Sequence, residues 1–197
     1  MKSDSPSPDR RQTTSVIIRP FVLSDAVGLL EAVSESIEHL CRWMTWCKRD
    51  YASVDAQGFL CQSVSDWEAG KNFSFAILDS EHQTILGSVG LNSINRTHNF
   101  ANMGYWIRSG HIRNGAASAA VRLAAAYGIK KLRFNRLELV IPTNNLASIR
   151  VAQKAGAKHE GVLRSRLILD GKIHNTAVYS FAKTDFDPLH FPEPHVV

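Results

Sequence analysis

Gly104-Tyr105-Trp106-Ile107-Arg108 is followed, after Ser109-Gly110-His111-Ile112, by Arg113-Asn114-Gly115-Ala116-Ala117-Ser118. Its aromatic and β-branched residues read as a strand, and the small residues after them run straight into a helix. Glycine lets a backbone approach a ligand closely, and the first N–H groups of a helix have no partners inside it. A phosphate placed there gains several donors and the positive end of the helix dipole. Arg113 can add charge. The pattern is not a P-loop, because no Gly-Lys-Ser/Thr follows, and it is not a dinucleotide fingerprint, because the second and third glycines are missing.

Working outward, Val16 to Arg19 reads as a short strand ended by Pro20, and Ser24-Asp25 caps a helix whose buried side is marked by Val27, Leu29, Leu30 and Val33. Ile37 to Trp46 is helical or irregular, and Ser53 opens a helix running to about Ala69. Phe73 to Leu78 and Thr84 to Leu91 are β-rich, and Ala101 to Arg108 is a third strand. A helix spans Ala116 to Tyr127 and ends at Gly128. Leu137 to Ile141 is a strand closed by Pro142, and Asn145 caps a helix that Gly156 terminates. Two last strands, about 158–169 and 173–182, flank the hairpin signal Asp170-Gly171. The order β-α-α-α-β-β-β-α-β-α-β-β predicts a mixed sheet with helices on its faces. Residues 1–14 read as a disordered polar tail, 15–183 as one domain and 184–197, with Pro188, Pro192 and Pro194, as an irregular C-terminal tail.

Composition agrees with one globular domain. The 197 residues are 44% hydrophobic and 21% charged, enough to bury a core and too mixed for a disordered or membrane-spanning chain. The start lacks the apolar run of a secretion signal. Cys41, Cys47 and Cys61 fit no disulfide framework or zinc spacing and read as free thiols, so the expectation is a cytoplasmic protein with no metal. Net charge is +5, unevenly spread: residues 24–81 hold ten acids against four bases, and 122–172 hold eleven bases against three acids. An acidic first part and a basic later part can bring a cationic substrate and an anionic cofactor to one cleft, or be solvated surface. Lys130, Lys131, Arg133 and Arg136 cluster, but no nucleic-acid-binding signature accompanies them.

The chain resembles the GNAT superfamily of acyl-CoA-dependent N-acyltransferases, and most closely the branch that acetylates ribosomal-protein N-termini (RimJ/RimL-like). The resemblance covers about residues 15–183 and rests on Ile18-Arg19-Pro20, Trp43-Met44-Thr45-Trp46, Gly104-Tyr105-Trp106-Ile107, Asn145-Leu146-Ala147-Ser148, Ala155-Gly156, Glu160-Gly161-Val162-Leu163-Arg164, Asp170-Gly171 and Val178-Tyr179. It implies an α/β (α+β) GNAT fold, with a twisted mixed sheet of about six or seven strands and two splayed central parallel strands. The family's pyrophosphate loop usually reads Gln/Arg-x-x-Gly-x-Gly/Ala. Here Ile112 takes the first position, Arg113 stands where glycine is common, and Gly115 and Ala117 keep the last two.

The resemblance also implies the site. Acetyl-CoA would be held by Trp106, Ile107, Arg108, Arg113, Asn114, Gly115, Ala116, Ala117, Ser118 and Asn145, with a backbone N–H of the Tyr105–Ile107 stretch on the thioester oxygen. Ser148 stands where the family's thiol-facing hydroxyl lies, with helix-start hydrogen bonding as its alternative role. Glu160 matches a carboxylate credited as base in the ribosomal-protein branch, with a solvated surface glutamate as its alternative. Trp43 and Trp46 match the acceptor-side wall, while His39, Asp50, His174 and Tyr179 are further candidates for the cleft. The implied function is direct acetyl transfer to a primary amine, foremost a protein N-terminal α-amine. A small-molecule amine (polyamine, antibiotic or amino-acid-derived toxin) and a non-catalytic CoA-binding module are the alternatives. Members of that branch are often dimers, so a homodimer is a further expectation; a membrane and nucleic acid are not expected partners.

Overall fold

A computed structural model describes residues 15–81 and 83–186. The two tails, apart from the turn at 183–186, lie outside the described residues. The element order is the expected one: β1 (Val16–Pro20), α1 (Ala26–Glu35), α2 (Ile37–Leu40), α3 (Ser53–Glu68), β2 (Phe73–Asp79), β3 (Ile85–Asn95), β4 (Phe100–Ile107), α4 (Ala116–Lys130), β5 (Arg136–Pro142), α5 (Leu146–Ala155), β6 (Lys158–Leu169) and β7 (Lys172–Ala182). The strands form one seven-stranded sheet in the order β1-β2-β3-β4-β5-β7-β6, antiparallel except at β4–β5.

That one parallel pair is short. It joins Phe100 to Arg136, Ala101 to Leu137 and Asn102 to Glu138, and then pairing stops although both strands continue. The sheet therefore opens between the C-terminal halves of β4 and β5, as the resemblance implied. Successive side chains of a strand point to opposite faces. Met103 and Ile107 join the core under α4, with Ala116, Ala120 and Ala124, while Trp106 joins the core under α1, with Leu29 and Val33. A single strand thus contributes to the cores on both faces of the sheet.

Three local expectations are corrected. Val27 is exposed; Leu29, Ala32 and Val33 form the buried side of α1. Gly128 does not end α4 but sits inside it, where an added Cβ would come within 2.9 Å of methyls of both Leu137 and Leu91. Close packing against the sheet, rather than helix termination, explains this glycine. Cys41 and Cys47 are not free thiols: the turn after α2 brings their Cα atoms to 4.8 Å and they form a disulfide, leaving Cys61 as the free cysteine. The six-residue separation closes a small loop carrying Trp43 to Trp46.

Candidate active site

The gap between β4 and β5 is flanked by two cavities. One, of about 520 Å³, lies between the end of β4, the starts of α4 and α5, and α2. The other, of about 690 Å³, lies over the sheet face beneath residues 43–59. Trp43, Met44, Tyr105 and Trp106 line both, so the two meet at β4.

The first cavity suits a polyanion. Arg113, Arg150, Lys154, His39 and His111 line it, and no Asp or Glu stands on its described walls. At its end the chain turns sharply: Arg113 has φ +66° and Gly115, the N-cap of α4, has φ +91°. Left-handed backbone explains why glycine is common at the position Arg113 occupies, and a non-glycine residue there costs about 1 kcal/mol. Local strain of this kind is often kept where a ligand needs the backbone in one shape. Asn114 Oδ1 accepts from Ala116 N–H at 3.1 Å, which leaves Ala117 and Ser118 N–H at a helix start with no acceptor behind them in the helix. Ile112 is half exposed and adds no polar contact.

The loop before this turn is held from across the molecule. Glu35, at the end of α1, accepts from Arg108 Nε and from Gly110 N–H (2.9 Å), and the Ser36 hydroxyl accepts from Ser109 N–H (2.9 Å). The Arg108 contact is the larger of the influences that hold the Glu35 carboxyl below the usual carboxylate range. Arg108, expected on the cofactor, is instead committed to Glu35 and absent from the cavity wall. Ala116 is also absent from the cavity wall, its side chain buried in the core and its N–H already given to Asn114 Oδ1.

At the meeting point, Arg108 N–H donates to Leu86 C=O on β3 at 2.7 Å. Antiparallel ladders alternate, so Trp106 and Gly104 also face β3, and the N–H groups of Tyr105 and Ile107 face the opened β5 side. Tyr105 crosses the gap: its hydroxyl donates to Ser148 C=O at 3.1 Å, and burial pushes its pKa up to about 12. Ser148 lines the same cavity at the start of α5, where Asn145 Oδ1 accepts its N–H at 3.1 Å. Of the residues expected on the cofactor, Trp106, Ile107, Arg113, Asn114, Gly115, Ala117, Ser118 and Asn145 line this cavity. Trp43 and Trp46 line the second, where Trp46 lies 6.2 Å from Trp106 and 6.1 Å from Tyr51 between ring centres.

Glu160 is corrected. It lies at the far end of β5 from the gap, clasped by both terminal nitrogens of Arg136, and its Oε1 also accepts from Ser180 Oγ at 2.6 Å. The Arg136 contact chiefly drives its pKa down from 4.5 to about 2, so it holds no proton and lines neither cavity. Glu160→Gln should therefore leave the pH–rate profile unchanged while lowering stability by about 1 kcal/mol, or roughly 2–4 °C in Tm. A carboxyl with a depressed pKa stabilises the fold above its unfolded value and loses that contribution as pH falls. The stability difference between wild type and variant should accordingly shrink between pH 4.5 and 2. A displaced acid limb would return Glu160 to the chemistry. Tyr179 is buried, its hydroxyl accepting from Gln153 Nε2 at 3.2 Å, and Asp50 and His174 are absent from both walls. Sequence reasoning missed Arg150 and Lys154, which lie on one side of α5, and Asn92 and Asn102, whose signal was polar residues at inward-facing strand positions.

A gap between parallel strands, with a cation-lined cavity on one side and an aromatic-walled cavity on the other, has the form of a site where two substrates meet. The acetyltransferase (GNAT) domain family matches residues 15–158, and the chain belongs to that family as an N-acetyltransferase. It is 32% identical over 173 residues to the uncharacterized N-acetyltransferase YoaA of Bacillus subtilis, covering 87% of this chain and 96% of that one. Among solved structures, it shares its fold with RimL, the ribosomal L7/L12 alpha-N-protein acetyltransferase in complex with coenzyme A. That likeness has a TM-score of 0.80 and 17% identity, over 88% of this chain and 97% of that chain. Mycobacterium smegmatis RimJ in complex with CoA-disulfide matches with TM-score 0.80 and 20% identity, over 87% and 83% respectively.

Proposed function

We propose that residues 15–183 form one catalytic domain that transfers acetyl from acetyl-CoA directly to a protein N-terminal α-amine, of the ribosomal-protein type. The observation that carries this reading is the meeting of two chemically different cavities at Tyr105 and Trp106. Arg113, Arg150 and Lys154 fit the phosphates of CoA, and the α4 start supplies further donors. The acetyl thioester supplies an activated carbonyl at the gap.

The chain's own groups then manage charge and protons. The N–H groups of Tyr105 and Ile107 are placed to donate to the thioester oxygen as negative charge develops there. The acceptor nitrogen bonds to the carbonyl carbon, collapse of the resulting oxyanion breaks the carbon–sulfur bond, and the proton that the nitrogen gives up goes, directly or through water, to the departing thiolate. The Ser148 hydroxyl, on the wall of the gap, can meet the departing sulfur, while the Tyr105 hydroxyl keeps its proton at neutral pH and gives it to Ser148 C=O. No Ser or Cys nucleophile is required, and a trapped acyl-enzyme would overturn direct transfer.

Acceptor choice follows from proton supply. The described carboxylate on the second cavity is Asp55, and it already takes the Lys48 ammonium at 3.0 Å and Ala52 N–H at 2.9 Å. A site without a free carboxylate base favours an amine that is partly neutral by itself. At pH 7.5 roughly a third of α-amines are unprotonated, against roughly one lysine-like amine in a thousand. A cytoplasmic setting goes with such a ribosomal acceptor.

Thiol release from acetyl-CoA with peptides bearing Ala or Ser N-termini, beside a panel of small amines, tests the reading. Peptide turnover should rise with pH along the acceptor's own titration, with a limb near 8. Turnover of small amines alone, or a limb that stays put when the acceptor's pKa is changed, would overturn it.

A further inference from the structure

The floor of the second cavity departs from the rest of the sheet. On the face that packs α1 and α3, Ala76, Leu78 and Trp106 are buried and apolar, as a helix-covered face should be. Farther along the same face stand Ser74, Gly90, Asn92, Asn102 and Gly104, all on the cavity wall. Gly and Asn are poor strand formers, and such a departure from pattern is expected where a site is built.

The register orders these residues into rungs. Ser88 pairs with Trp106, Gly90 with Gly104 and Asn92 with Asn102. The Trp106 rung is the transfer point, the glycine rung carries no side chain above the floor, and the asparagine rung follows. Four residues separate Trp106 from Asn102, about 13 Å along a strand and so three to four residues of an extended peptide.

Asn102 Nδ2 donates to Asn92 Oδ1 at 2.9 Å, and Ser93 Oγ lies 3.3 Å from the same oxygen. This leaves Asn92 Nδ2 and Asn102 Oδ1 without a hydrogen-bond partner among the described residues. One donor and one acceptor side by side complement the C=O and N–H of a peptide group. A polyamine, which brings donors alone, would leave Asn92 Nδ2 unmatched, and Asp55 is already neutralised by Lys48.

We infer that the Ser74–Gly90–Asn92–Asn102–Gly104 floor binds the extended N-terminal segment of a peptide acceptor, with Asn92 and Asn102 reading a backbone amide three to four residues behind the acetylated amine. This rests on the proposed transfer to an N-terminal amine and specifies what that site recognises.

The test is a series of amidated peptides of two, three, four and six residues beginning with Ser, with butylamine and spermidine as amide-free acceptors. In the wild type kcat/KM should rise tenfold or more between two and four residues. Asn102→Ala and the milder Asn92→Ser should erase that gain through KM, with kcat, CoA affinity and dipeptide turnover within about twofold of wild type. Peptide turnover with no length dependence, or equal losses for dipeptide and hexapeptide, would overturn the amide reader while leaving the proposed function standing. Turnover of the amide-free amines alone would overturn both. If no acceptor turns over, calorimetry of the hexapeptide with CoA present decides. Binding that weakens tenfold in Asn102→Ala supports the reader, and absence of binding overturns it.

Discussion

Gly115→Glu should abolish CoA binding while the protein stays folded. The substitution places a carboxylate at the N-cap of α4, on the wall of the cationic cavity and beside the N–H groups of Ala117 and Ser118. Two unit charges about 5 Å apart at an effective dielectric of 20 repel by about 3 kcal/mol, which is more than a hundredfold in affinity. The added side chain also occupies the donors that the phosphates would use. The fold should tolerate it: φ +91° costs a side chain about 1 kcal/mol, and an acidic group at a helix N-terminus returns part of that. Calorimetry with CoA should show no heat beyond dilution, with Tm within a few degrees of wild type. Gly115→Ala, which adds the backbone strain without the charge, should weaken CoA only a few-fold. Unchanged affinity in the Glu variant would mean that the phosphates lie elsewhere.

Gly87→Ala is expected to damage stability and transfer together. A Cβ on Gly87 would stand 2.1 Å from Trp106 O and 3.0 Å from Ile107 Cα. These are backbone atoms of β4, so no rotamer change can relieve the contact; β3 and β4 must part by more than an ångström. A forced backbone shift of this kind costs about 3 kcal/mol or more, or roughly 6–12 °C in Tm. The displaced segment carries the Ile107 N–H that faces the gap, and an ångström of misplacement at a reacting centre can cost about a hundredfold in rate. Measured well below its lowered Tm, the variant should therefore show kcat down about a hundredfold with CoA affinity largely kept. Gly90→Ala, three positions along β3, is the stability control, since its nearest neighbour would be Phe73 O at an ordinary 3.6 Å. Equal stabilities for the two variants would show that β3 and β4 are not locked at Gly87.

What the sequence makes legible is local. The start of α4 was legible because Asn114, Gly115 and the small residues behind them act on their own backbone, and Asn145 caps α5 in the same way. The partner of Glu160 is not legible in sequence, because Arg136 lies 24 residues away in the chain. A carboxylate next to a glycine looks the same in sequence whether it faces a substrate or an arginine. The same holds for Arg108, whose partner Glu35 lies 73 residues earlier. Gly128 and the Cys41–Cys47 pair follow packing and proximity, which local helix-end and thiol-spacing patterns do not carry.

The order of strands and helices, the turn that opens α4 and the cap of α5 are legible in the residues alone, as is the resemblance that points to acetyl transfer. Each depends on propensities, capping and spacings that act within a few residues. Tertiary structure decided where β4 parts from β5, which faces of the opened sheet become cavities, and which charged residues look into them. It also placed Gly90 opposite Gly104 and Asn92 opposite Asn102 on one floor. The reason is that strand register and long-range ion pairs bring together residues whose separation along the chain carries no local signal of contact.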